Sequence, residues 1–170
     1  MPSEENLYVW YGVLFVHQGL YQSGVFKFRV AIPQDYPEYP PSVTFMSDMF
    51  HPLIDGGGNL SLSQQFLTWR PHEDYIIYVL HYVKNIFKKA ILDRLIEKHC
   101  LNKEAYRMYK HEINTFIKLS KQCAELSYSE SYLYDHFPDD NLIRFSPITD
   151  ATLGKEKLAN QRCCHQNCTA

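Results

Sequence analysis

The amino-acid sequence predicts an α+β fold: an antiparallel meander sheet followed by helices. Three observations carry this. Residues 25–32 alternate, placing Phe26, Phe28, Val30 and Ile32 on one face and Lys27 and Arg29 on the other. Four prolines between 33 and 41 interrupt any regular ladder before a further short β-rich run. In the second half, Ile76, Leu80, Val83 and Phe87 recur at spacings of four, three and four, which is one face of a helix.

The elements follow in chain order. Residues 7–17, rich in Val, Tyr, Trp and Phe and closed by Gln18-Gly19, form the first strand, residues 25–32 the second, and residues 42–46 the third. Short connections make successive strands antiparallel. A helix is expected over residues 74–89, with Glu73 and Asp74 at its positive end and Lys84, Lys88 and Lys89 toward its negative end. Asn102 opens another, whose face of Tyr106, Tyr109, Ile113, Phe116 and Ile117 continues to about Cys123. Residues 127–140 read as a loop with aromatic anchors, residues 143–146 as a short run ended by Pro147, and the last ten residues as frayed.

Composition narrows the function. With 170 residues, 45% apolar and 15% aromatic, the chain has enough apolar surface for one core and is neither disordered nor low-complexity. A net charge of −2 excludes a generic nucleic-acid binder. The charge is uneven, however. Between Lys84 and Lys121 there are ten basic and four acidic residues, and elsewhere seven against fifteen. Such a basic region is either a solvated helical face or a surface that docks an acidic partner. Residues 7–26 carry no formal charge, but only 7–16 are continuously apolar apart from Gly12, which is too short to span a bilayer. The acidic start Met-Pro-Ser-Glu-Glu is unlike a signal peptide, so a soluble, non-secreted protein is expected.

Cys100 and Cys123 are isolated, and Cys163, Cys164 and Cys168 crowd the end. Five cysteines without framework spacing predict no disulfide scaffold. Crowded C-terminal cysteines cannot easily close a zinc tetrahedron, and Cys168 is third, not fourth, from the end, so no prenylation box is present. No metal or cofactor is expected. Gly56-Gly57-Gly58 lacks the Lys and Ser/Thr of a phosphate loop and reads as a flexible turn.

Tyr36-Pro37-Glu38-Tyr39-Pro40-Pro41, then Phe50-His51-Pro52, then Trp69-Arg70-Pro71 before a helix form an ordered set behind the Gly24–Phe28 strand start. Together they resemble the ubiquitin-conjugating enzyme fold over residues 7–121. The resemblance implies structural roles for Tyr36, Pro37, Pro40, Pro41, His51, Pro52, Trp69 and Pro71. It also exposes two departures. Leu53 occupies the position of the family's oxyanion-stabilising Asn, and Ser61 that of its thioester cysteine; the nearest cysteine, Cys100, lies 39 residues beyond. A serine hydroxyl ionises far less than a thiol and needs a positioned base, for which His51 is the nearby candidate. A missing oxyanion donor costs roughly 3–4 kcal/mol of barrier.

Trp10–Phe15, Gly19–Phe28, His51-Pro-Leu-Ile-Asp and Arg144-Phe-Ser-Pro are similar to the fused-toes or AKT-interacting protein group, which includes crossbronx. That resemblance implies a catalytically inactive variant with domains at 1–126 (conjugating-like), 127–158 (an extension packed on or near it) and 159–170 (a disordered tail). It also implies a role with a Hook-like coiled-coil protein and a Hook-interacting subunit in linking vesicles to dynein; members of the group carry a helix ahead of the first strand, which this chain, starting almost at that strand, is expected to lack. The expected location is cytoplasmic, vesicle-associated or partly nuclear. Two alternatives stand beside it: a variant that binds ubiquitin or assists an active conjugating enzyme, and a serine-based enzyme using Ser61 and His51. Lys84, Lys88, Lys89 and Arg94 are the candidate binding residues, with Lys84 and Lys88 expected on one helical face.

Overall fold

In the computed structural model of the chain, residues 6–129, 133–134, 143 and 145–146 are described. The expected domain limits at 158 and 170, and the C-terminal cysteines, lie outside them. Three strands form one antiparallel sheet in the order β1-β2-β3: β1 Val9–Phe15, β2 Val25–Ala31 and β3 Ser42–Phe45. Val9 faces Ala31 and Phe15 faces Val25 across the first pair; Phe28 faces Phe45 and Ala31 faces Ser42 across the second. Gly12 sits opposite Phe28, whose ring would lie 2.3 Å from a Cβ at that position, so any larger residue would have to displace the buried ring.

The alternation in β2 works as read on one face. Phe26, Phe28 and Val30 are buried and share the core with Val43 and Phe45 of β3. On the other face Arg29 is exposed, but Lys27 is only 4% exposed, which departs from the simple two-sided reading.

Helix α1, Ile76–Asn85, supplies the other side of the core through Val79, Tyr82 and Val83, continued by Ile86 and Phe87. The Phe87 ring stacks on Phe26 at 5.3 Å and meets Tyr21 edge-on at 5.2 Å. The helix is shorter than residues 74–89. Asp74 precedes it, accepting from the Arg70 backbone N–H at 2.9 Å, and Lys88 is already extended. The carbonyl of Ile86 at the far end is taken by the His51 ring at 3.1 Å, which satisfies a terminal acceptor.

After α1 come α2, Lys89–Asp93, and a 3-10 turn, Glu97–His99. Both are too short to register as hydrophobic periodicity. The single helix expected from Asn102 is two: α3, Lys103–His111, and α4, Ile113–Ser127. Asn102 caps α3 as its residue type suggests, its side chain accepting from Ala105 N–H at 2.9 Å. The break at Glu112 brings the Tyr109 and Phe116 rings to 5.1 Å. A straight helix would set residues seven apart about 10 Å apart along its axis. Ile113 and Ile117, counted on the buried face from sequence, are instead 42% and 39% exposed.

Cys100 and Cys123 are buried free thiols. Cys123, on α4, faces the segment after β3: its sulfur accepts from Phe50 N–H at 3.5 Å and donates to the Asp48 carbonyl at 3.4 Å.

Candidate functional site

The segment from His51 to Ser63 carries the residues singled out from the sequence, and its chemistry follows from what holds it. His51 is fully buried, flanked by the Tyr21 and Phe87 rings. Both of its ring nitrogens are committed. Nε2–H donates to the Ile86 carbonyl, and Nδ1 accepts from the Leu53 backbone N–H at 3.0 Å. This pairing requires the neutral Nε2–H tautomer. Burial agrees, lowering the imidazole pKa to about 4 against the weaker upward pull of the Ile86 carbonyl.

Leu53 is entirely buried in the core cluster, so its side chain presents nothing to an incoming carbonyl oxygen. Its own carbonyl accepts from Ser61 N–H at 2.8 Å, which fixes residue 61 beside residue 53. Ser61 is 8% exposed. Its hydroxyl pairs with the Ser63 hydroxyl at 2.8 Å, and its carbonyl accepts from the Tyr82 hydroxyl at 3.3 Å. Burial pushes the Tyr82 phenol up, so it remains a donor. The sequence-predicted pair, Ser61 and His51, is therefore brought into one segment without a nucleophile–base contact: each polar atom of the imidazole is spent on backbone.

The turn before Ser61 is more ordered than three glycines suggest. Asp55 accepts from Gly57 N–H and Asn59 N–H at 2.9 Å each through Oδ1, and from the Asn59 amide at 3.1 Å through Oδ2. Those bonds, the Asn59 side chain first, hold the Asp55 carboxyl below its ordinary pKa. Gly58 has φ +82°, and a Cβ there would lie 2.1 Å from the Phe45 carbonyl oxygen. The turn is thus pinned to the end of β3, where Thr44 and Asn59 form a bridge.

The first of the proline motifs and the tryptophan meet. The Trp69 indole N–H donates to the Pro37 carbonyl at 2.7 Å, its ring lies 6.4 Å from Tyr36, and the Tyr36–Pro37 peptide is cis. Pro41 and Pro52 are buried, Pro71 is half-buried and Pro40 exposed. Arg70 is 62% exposed and bridges Glu73 at 2.8 Å and Asp74 at 3.0 Å.

A cleft of about 750 Å³ is lined by Gln65, Phe66, Arg70, Asp74, Tyr82 and Ile91 among others. Sequence reasoning missed it. The available signal was the Arg70–Asp74 spacing, one helical turn before the helix proper. Gln64 was missed too: its amide donates to the Arg94 carbonyl at 3.3 Å and accepts from Ile96 N–H at 3.4 Å, tying this segment to the end of α2.

The basic residues are exposed but do not share one helical face. Lys84 is on α1, which ends at Asn85, whereas Lys88 stands just ahead of α2 and Arg94 just behind it. Lys89 is paired with Asp93 at 3.0 Å. Among the described residues no group of three or more His, Cys, Asp or Glu could hold a metal ion, and no helix is long and apolar enough to cross a membrane.

A meander sheet backed by a central helix, with a Tyr-Pro-x-x-Pro-Pro turn locked to a Trp and a buried His-Pro before the site, defines a protein of the ubiquitin-conjugating class. The family model for ubiquitin-conjugating enzymes matches residues 1–124, and the chain belongs to that family. Its relatives include crossbronx and AKT-interacting proteins. The crossbronx homolog of Anopheles gambiae is 34% identical over 152 residues, covering 86% of this chain and 67% of that protein. The AKT-interacting protein of Danio rerio is 37% identical over 163 residues (92% and 53%), and that of Rattus norvegicus 35% over 167 residues (95% and 55%). The chain thus spans between about half and about two thirds of the length of these relatives.

Proposed function

We propose that the chain is a catalytically inactive ubiquitin-conjugating module that works by binding proteins. The observation that supports this is the spent site: Ser61 in place of the thiol, Leu53 buried in place of the amide donor, and a His51 whose two nitrogens both serve backbone. A base with no free nitrogen cannot activate a serine. AKT-interacting proteins bear a name that refers to a protein partner. For this chain the partners are a Hook-like coiled-coil protein and a Hook-interacting subunit, in a cytoplasmic adaptor complex that links vesicles to dynein. The interface is mainly apolar, with Lys84, Lys88, Lys89 and Arg94 steering an acidic partner surface.

Two measurements test the reading. Incubation with activating enzyme, ATP and ubiquitin leaves the chain uncharged; a base- or hydroxylamine-sensitive adduct lost in Ser61→Ala would overturn it. Affinity purification followed by mass spectrometry recovers Hook-like coiled-coil proteins, whereas recovery of ubiquitin-pathway enzymes alone favours the ubiquitin-binding alternative. Reversal of the four basic residues slows association with the recovered partner at low salt, since exposed charge acts chiefly on the association rate. Ser61→Ala leaves it unchanged.

A further inference from the structure

A second cavity, of about 430 Å³, lies between the segment after β3, the glycine turn and α4. Its size suits a small organic molecule, and much of its wall is apolar. Met49 and Phe50 pack against the core, Met46 and Leu119 are half-buried, and Leu126 keeps 47% of its surface in solvent. Two methionines give a wall that adapts its shape. The Cys123 thiol also lines the cavity, but Phe50 N–H and the Asp48 carbonyl already engage it, so it contributes surface and no free donor.

The charge on the wall is of one sign. Among the described lining residues Asp48 and Asp55 carry it, and no Lys, Arg or His joins them. The Asp55 carboxylate is held by the backbone N–H groups of Gly57 and Asn59 and by the Asn59 amide. These donors are neutral, so they order the carboxylate and leave its negative charge in place.

The turn supplies an independent observation. Gly58 is required by its positive φ and by the Phe45 carbonyl. Gly56 has neither reason: its φ is not positive, and a Cβ there would meet nothing within 4 Å. A glycine that the fold does not demand costs chain entropy on folding, and its place on the cavity wall leaves bare backbone for a ligand to approach.

We propose that this cavity binds a small organic cation, with its apolar body against Met46, Met49 and Leu126 and its ammonium group at Asp55. A neutral molecule of the same shape fills the walls but leaves the carboxylate unanswered, and an anion is repelled.

Amide NMR spectra of the full-length chain test this, with phenethylammonium as the probe and phenethyl alcohol as its neutral counterpart. Titrated to about 10 mM, the cation is expected to shift amides in residues 46–50, 56–59 and 119–126 together. It is expected to bind about threefold more tightly than the alcohol, a gap that narrows with added salt. Leu126→Lys, a change at a half-exposed position, is expected to abolish these shifts and leave the rest of the spectrum in place. Asp55→Asn, which keeps a carbonyl oxygen for the turn, is expected to bring the two probes to equal affinity. Should that variant lose the turn, the salt dependence in wild type gives the reading instead. Three results would each overturn the proposal: no shifts in these stretches, equal affinity of the two probes in wild type, or shifts unchanged in Leu126→Lys.

Discussion

The backbone N–H of Leu53 donates to Nδ1 of His51 at 3.0 Å, so one residue of the His51–Ser63 segment locks the protonation state of another. A neutral imidazole is built into the fold, since its other nitrogen donates to the Ile86 carbonyl.

This relationship has a pH signature. The His51 pKa is lowered from 6.5 to about 4 by burial, so the folded state resists a proton that the unfolded chain accepts. The stabilisation is fully present above pH 6.5 and is lost progressively as pH falls toward 4. At 1.36 kcal/mol per pKa unit the loss amounts to about 3 kcal/mol. Urea unfolding at a series of pH values is expected to show it, ahead of the carboxylates Asp55, Asp74 and Asp93, whose lowered pKa values act only in more acid solution.

Leu53→Asn is expected to destabilise the protein by about 3 kcal/mol, because it removes apolar packing and buries an amide with no partner. Residue 53 is fully buried, so the substitution excavates the core and does not rebuild an oxyanion donor. Equilibrium urea unfolding gives the magnitude.

Gly58→Ala is expected to cost about 3 kcal/mol or more, combining a positive φ with a Cβ 2.1 Å from the Phe45 carbonyl oxygen. Gly56→Ala, where a Cβ meets nothing within 4 Å, is expected to stay within about 0.5 kcal/mol of wild type. Paired melting curves separate a built turn from a slack one.

Trp69→Phe removes the donor to the Pro37 carbonyl while keeping an aromatic ring against Tyr36 and Phe66. A loss of about 1 kcal/mol is expected. In wild type the indole N–H should exchange slowly in NMR spectra.

Local patterns carried much of this. The period-two run of β2 announced the sheet, and the spacing of Ile76, Leu80, Val83 and Phe87 its helix, because periodicity is a property of neighbours in sequence. What escaped depends on distant partners. Lys27 reads as a surface lysine until Leu133 and Phe145 arrive from more than a hundred positions away. The break at Glu112 is silent because the face it interrupts stays apolar on both sides; only the meeting of Tyr109 with Phe116 requires it. The role of His51 was legible as structural, but not its double commitment to Leu53 and Ile86, which takes a turn and a helix end to complete.

The two sheltered thiols make the molecule its own clock. Burial raises the Cys100 thiol to about 11 and pushes Cys123 up as well, so neither meets an alkylating reagent as a thiolate in the closed state at neutral pH. With Cys163, Cys164 and Cys168 replaced by serine, each modification by such a reagent would register one opening of the structure around it. Cys123 would time the parting of α4 from the Asp48–Phe50 segment, and Cys100 the loosening of the turn ahead of α3.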